Sequence, residues 1–172
     1  YSSIPTDNLV DYIDIGCVDI DYGDYKPKTL ATRDLPANAK IKLTGGEIIV
    51  SLVRPTRGAI AIVDDNLQRE TICSTAFYVC RVDDTAKREI VWLYLRIISS
   101  LFEKYCSGTS YPTIEGKYVF DIPVPDFSAD LTSQIKHVIG DSTLMRRRSH
   151  ASIKEAISIM EQIIIEGASY ED

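Results

Sequence analysis

Arg54 and Arg57 stand around Pro55 and Thr56, directly before Gly58, in a run with the composition of a tight turn. At a hairpin tip, guanidinium groups can clamp a phosphate or make paired hydrogen bonds to a guanine edge. The same side chains could stay solvated or pair with Asp64 or Asp65. A second polar segment runs from Lys104 to Lys117, where Ser107, Thr109, Ser110 and Tyr111 supply hydroxyl donors around Gly108 and Pro112. Ammonium and hydroxyl groups on such a loop suit phosphate and base-edge contacts. Its plain alternative is a loop closed by Pro112.

Catalytic patterns fare less well. Glu115-x-Lys117 beside an expected strand echoes metal-dependent nucleases, but that chemistry needs a further acid on a neighbouring strand. Asp83 and Asp84, the nearest upstream acids, fall at a strand end that leads into a helix. Asp19-x-Asp21-x-x-Asp24 has a calcium-like spacing, yet Leu30 stands where an EF-hand loop needs glutamate, so a solvated loop is expected. Ser133-x-x-Lys136 falls on the exposed start of a helix. Cys17, Cys73, Cys80 and Cys106 have no CxxC spacing and read as reduced core thiols; His137 and His150 both fall in the helical region, and no metal site is expected. Arg146-Arg147-Arg148 lies in the helical region, where consecutive side chains point about 100° apart. It reads as a solvated face, pairing with Glu155 or an acidic partner, with phosphate contact the lesser alternative.

The elements that must position these residues divide at Pro125. The seven prolines end with Pro125 itself and seven of the nine glycines lie before it, between short apolar runs, as in hairpins and sheet connections. Tyr12 to Ile15 alternates as a strand. Gly45-Gly46 is a turn, Ile48 to Val53 a strand, Ala59 to Val63 its hairpin partner, and Thr71 to Val82 another strand ending at Asp83-Asp84-Thr85, which can cap a helix. Val91, Leu95, Ile98, Phe102 and Tyr105 then form a helical stripe to about Cys106.

Beyond Pro125 the pattern changes. Leu131, Ile135, Val138, Ser142, Met145, Ser149, Ser152, Ala156, Ile159 and Ile163 recur at alternating steps of four and three, the seam of a coiled coil. Such a helix, of roughly 36 residues and about 50 Å, cannot bury its stripe alone. It needs a partner helix or acts as a spacer. Ser142, Ser149 and Ser152 weaken the seam, and Gly140 costs about 1 kcal/mol relative to alanine, so a kink or break is expected there. The distal Ala156, Ile157, Ile159, Met160, Ile163, Ile164 and Ile165 form the main docking surface.

The 172 residues, 45% of them hydrophobic, suit one domain plus an appendage. No stretch is apolar enough for a membrane span and no basic-then-apolar leader opens the chain, so a soluble, cytoplasmic protein is expected. A start at Tyr1 is what a piece excised from a longer polypeptide would show. The formal net charge of −6 argues against indiscriminate polyanion binding but leaves room for a local basic face.

Several of these patterns, in order over about residues 35 to 166, resemble the target recognition domain of the specificity subunit of type I restriction-modification enzymes. Gly46-Glu47-Ile48-Ile49-Val50-Ser51 is similar to that family's Gly-Asp-apolar-apolar-apolar-Ser strand, and Arg54-Pro55 with Gly58 to the turn after it. Ser74-Thr75 with Phe77 resembles its next strand, and Gly108-Thr109 with Tyr111-Pro112 its Gly-Thr loop before a last strand. Ile122-Pro123-Val124-Pro125 resembles its exit, and Gln134-Ile135 the start of its helix. Two departures stand out: one copy of the pattern where the usual subunit has two, and an acidic run reduced to Asp130.

The resemblance implies that the domain reads one half of a split DNA site while the long helix pairs with another and sets the distance between halves. The expected fold is α+β, a twisted, mostly antiparallel sheet domain with packed helices over residues 1–126, followed by a long coiled-coil helical dimerisation and spacer region over 127–172. Arg54, Arg57, Lys104, Thr109, Ser110, Tyr111 and Lys117 are the expected DNA contacts. Ile135, Val138, Met145, Ala156, Ile159, Met160 and Ile163 are the expected oligomerisation contacts. Partners would be double-stranded DNA, a second recognition domain or copy, and methyltransferase subunits that bring a nuclease. Catalysis, S-adenosylmethionine and ATP would belong to those partners, so this chain is expected to be non-catalytic and to hold no cofactor. A half subunit, a fragment of a two-copy chain and the tail of a fused methyltransferase all remain open. The alternative, from a different class, is a coiled-coil assembly module with no nucleic-acid role.

Overall fold

The computed structural model describes residues 8–108 and 110–168, and divides into two compact units, Tyr1–Asp126 and Phe127–Asp172. The first unit is α+β and rich in antiparallel pairing. Its strands are β1 (Leu9–Ile13), β2 (Lys28–Ala31), β3 (Ala39–Leu43), β4 (Ile48–Ser51), β5 (Ile60–Ile62), β6 (Thr71–Ser74) and β7 (Phe77–Cys80). One sheet has the order β2-β1-β6-β3 and the other β5-β4-β7. All described pairings are antiparallel except β1 with β6.

The expected hairpin is present as β4 and β5. Both strands are short continuous apolar runs, the pattern of strands covered on both faces, and Ile48, Ile49, Val50 and Ile60 are at most 1% exposed. The single strand expected from Thr71 to Val82 is instead two, in different sheets. Ser74 Oγ accepts from the Ala76 amide at 3.1 Å, a short side-chain-to-backbone turn that carries the chain from one sheet to the other. Ile13, Leu43, Ile49, Ala61, Val63, Cys73 and Phe77, drawn from both sheets, share one core.

Helix α1 (Arg88–Ile97) begins where the acidic turn forecast it: Asp84 accepts from the Ala86 amide and caps the 3-10 turn that leads in. It covers the β5 edge, where the indole of Trp92 donates to the Ile60 carbonyl at 3.0 Å. The forecast stripe is corrected. The chain tightens to a 3-10 helix over Ile98–Tyr105, so the repeat shortens, and Ile90, Leu95, Ser99 and Phe102 turn inward while Tyr105 is half exposed. The last strand implied by the resemblance is corrected too. Only isolated bridges of Thr113 to Val53 and Ser107 form, and Gly116–Phe120 is a short helix, α2.

The second unit is one helix, α3, running Ala129–Ala168, a span of about 60 Å. Ser128 caps it, its hydroxyl accepting from the Leu131 amide at 3.3 Å. Of the kink or break expected near Gly140, the break does not occur: the helix, though bent, continues on both sides, and the space where a side chain would stand is open. Val138, Met145, Ile157, Ile159, Met160, Ile163, Ile164 and Ile165 are each more than half exposed. No helix among the described residues is long and apolar enough to cross a membrane.

Candidate nucleic-acid interface

Sheet topology gathers the polar loops. Register pairs Tyr12 with Lys28, Ile13 with Cys73, Ala39 with Ser74, and Ser51 with Phe77. The exits of β1, β4 and β6 and the entries of β2, β3 and β7 therefore meet at one end of the unit. That end carries Asp14, Lys28, Asn38, Ser74 and the β4–β5 connection with Arg54 and Arg57.

Arg54 is held in an unusual way. It is the one described residue other than glycine with positive φ (48°), at the entrance to the 3-10 turn Pro55–Arg57. Left-handed backbone costs a residue with a Cβ about 1–2 kcal/mol, and such residues persist where surrounding contacts over-determine them. Those contacts are visible. The Arg54 amide donates to the Pro112 carbonyl at 2.7 Å, and the Ile114 amide donates to the Leu52 carbonyl at 2.9 Å. Ser107 and Thr113 exchange backbone bonds of 2.8 and 2.9 Å across the loop between them. The loop around Gly108, itself at φ +85°, is thus clipped to the β4 exit. The Arg54 guanidinium stacks 4.4 Å from the centroid of the Tyr111 ring, an arrangement that orients the charge.

Electrostatics separates this end from the opposite one. There, Glu47 is buried and accepts from the Thr44 amide and hydroxyl (3.0 and 2.6 Å), the Gly45 amide (2.8 Å) and Arg81 Nη2 (2.7 Å). Burial alone would raise its carboxyl pKa; the Thr44 hydroxyl with the Thr44 and Gly45 amides outweighs that and holds it below the usual range. Gly45 is required in this knot, because at φ +99° a Cβ would meet the Asp65 carbonyl oxygen at 2.6 Å. Arg88 grips Asp65 through both terminal nitrogens. Asp65 is therefore committed to Arg88, and the alternative that paired it with the hairpin arginines is corrected. Among the described residues, no carboxylate lies within ion-pair distance of Arg54 or Arg57.

The remaining candidates sort by position. Arg57, Ser110 and Tyr111 are exposed, and Tyr111 meets Arg54 directly. Lys104 is exposed on the 3-10 helix that packs against the arginine turn. Thr109 lies outside the described residues. Lys117 is turned to its own neighbours, pairing with Glu115 at 2.8 Å and sitting 4.8 Å from the Tyr118 ring centroid. Glu115-x-Lys117 is an ion pair at a short helix, not an array across two strands, and no group of three metal-ligating side chains occurs among the described residues. Arg146 bonds Ser142 Oγ at 2.8 Å, one helical turn back. All four cysteines are free, and burial pushes the thiols of Cys73 and Cys80 up to about 11. Thiolate chemistry is suppressed there.

Beside the arginine turn, an open cleft of about 410 Å³ is lined by residues including Asp14, Lys28, Asn38, Val53, Ser74 and Tyr111. Asn38 and Lys28 were not legible as site residues, because the pairing of β6 with both β1 and β3, strands far apart in the chain, is what brings them to one cleft with Tyr111.

No protein-family model and no curated protein matches this sequence. Solved structures do. A chain of a type I R-M (restriction-modification) system, solved in a study of its complex assembly and conformational transition, superposes with TM-score 0.63 at 27% identity, over 96% of this chain and 43% of that one. The HsdS subunit from Thermoanaerobacter tengcongensis superposes with TM-score 0.61 at 25% identity, over 93% of this chain and 42% of that one. The present chain thus spans less than half the length of the structures it matches. The resemblance to type I specificity subunits that the motifs carried is shown at the level of structure.

Proposed function

We propose that this chain reads double-stranded DNA as a specificity subunit, or half of one, of a type I restriction-modification system, and directs methyltransferase and endonuclease subunits to a bipartite site. The observation that carries the reading is the pair of hairpin arginines without a carboxylate partner among the described residues, one of them stacked on Tyr111 in left-handed backbone. A cation left unneutralised at a stapled, solvent-facing turn is free to take phosphate or a base edge. Arg54, Arg57, Ser110 and Tyr111, with Thr109 in the same loop, form the proposed reading face. Lys104 flanks it, and Lys117 contributes only after giving up Glu115. The chain itself is proposed to be non-catalytic, with S-adenosylmethionine and ATP bound by its partners in the cytoplasm.

The second unit has the complementary task. α3 is proposed to pair as a coiled coil with a second recognition domain or second copy through Ile135, Val138, Met145, Ala156, Ile159, Met160 and Ile163, and so to set the spacing between half-sites. The exposed isoleucines also favour the alternative, an assembly module without nucleic-acid binding. Salt separates the two: DNA affinity falls steeply with ionic strength when several phosphates are contacted, whereas apolar helix pairing does not.

The direct test is methylation mapping in cells that express the full system with and without this chain. Methylation at a bipartite sequence that appears only with the chain supports the proposal. An identical methylation map in both cells defeats it.

A further inference from the structure

We infer that the cleft beside the arginine turn is a second base-reading element, in which Asn38 recognises an adenine and the apolar wall of Val53 and Tyr111 receives the methyl group of the paired thymine. The inference rests on the DNA reading above and extends it to residues that no motif marks.

Asn38 is exposed, yet it is not left to rotate freely in solvent. Its Nδ2 donates to Ser74 Oγ at 3.0 Å, and its Oδ1 accepts from the Tyr12 hydroxyl at 3.1 Å. Its backbone is fixed as well, since its carbonyl accepts from the Thr75 amide at 2.9 Å. Tyr12 is only 3% exposed and Ser74 1%, so both anchors are rigid parts of the sheet. A carboxamide offers two donors and two acceptor positions, and one of each is used here. One donor and one acceptor remain on a side chain that lines the cleft. That pair matches the N7 acceptor and N6 donor of adenine in the major groove. Preorganisation matters because ordering a mobile side chain at binding costs conformational entropy.

The surroundings fit the same ligand. Val53 and Tyr111 line the cleft together with Asn38, and Tyr111 also stacks on Arg54, so the two reading elements share a wall. Lys28, paired with Asp14 at 2.5 Å, stands on the rim where it can turn to a phosphate without entering the base plane.

The test is selection of bound duplexes from a randomised pool by the full-length protein in its complex, comparing wild type, Asn38→Ala, Asn38→Asp and Lys28→Ala, each checked for an unchanged melting temperature. Asn38→Ala is expected to cut the preference for adenine at one position by about tenfold and leave the other positions intact. Asn38→Asp, which keeps the acceptors but loses the amide donors, is expected to shift that position towards cytosine, whose N4 amino group donates to a carboxylate. Lys28→Ala is expected to weaken all sequences alike and lower the salt slope by about 1. Selected sequences that are the same for wild type and a folded Asn38→Asp overturn the inference while leaving the DNA reading standing. Enrichment of no sequence by the wild-type complex overturns both.

Discussion

The two ends of the first unit use arginine for opposite purposes. At one end Arg81 and Arg88 are spent on Glu47 and Asp65, closing the β3–β4 turn and fastening α1 beside it. At the other, half-buried Arg54 and exposed Arg57 stand on a turn held in place by backbone bonds and an aromatic ring. The difference teaches how to separate a structural cation from an available one. A guanidinium bound to carboxylates of its own fold stabilises that fold; one whose support comes from its backbone keeps its donors for a ligand.

The comparison can be broken most forcefully at the structural end. Glu47→Ala removes the carboxylate partner of Arg81 and the acceptor of two backbone amides, and is expected to cost about 3 kcal/mol of stability in a denaturant titration, with the bases selected by any remaining folded protein unchanged. At the reading end the effect should reverse in kind. Arg54→Ala is expected to cost about 1–3 kcal/mol of duplex affinity and relax one position of the selected sequence, with melting nearly unaltered. Arg54→Gly sharpens this further. Relief of the left-handed backbone offsets the added entropy of the unfolded chain, so stability should stay within about 1 kcal/mol of wild type while base reading is lost. A collapse of the fold in this variant would show that the side chain, not the backbone, supports the turn.

A pH titration probes the structural end more gently. Glu47 has a folded-state pKa below its ordinary value of 4.5, so its stabilising contribution is whole above that pH and is lost as pH falls through the lower folded-state value. Denaturant midpoints measured downward from neutral pH should therefore drop in the acid range, and Glu47→Gln should flatten that drop. An identical acid dependence in the variant would assign the effect to other carboxylates.

How much of this was legible depended on the distance over which each feature is decided. The β4–β5 hairpin could be read because Gly46, Pro55 and Gly58 punctuate two apolar runs, and the start of α1 because Asp84 supplies a capping oxygen within a few residues. The segment Thr71–Cys80 misled because Ser74, Thr75 and Ala76 do not interrupt a strand by composition; the turn comes from one hydroxyl bonding two residues on. The tightening after Ile97 was hidden for a similar reason, since the apolar spacing suits either helix over one turn. The cleft was out of reach for a different reason. Asp14, Lys28, Asn38 and Tyr111 belong to separate segments, and the pairing of β6 with β1 and with β3, together with the clip from Arg54 to Pro112, sets them side by side.

The central claim is that the unpaired hairpin arginines contact DNA. The most direct measurement is the salt dependence of duplex binding by the complete complex, wild type against the Arg54→Ala, Arg57→Ala double variant, on a duplex selected by the wild type. If both arginines clamp phosphates, the log–log slope falls by about 2; if either reads a base, affinity falls by about 1–3 kcal/mol for that residue and discrimination against single-base mismatches weakens. A double variant that binds with the same affinity, the same slope and the same discrimination would contradict the account.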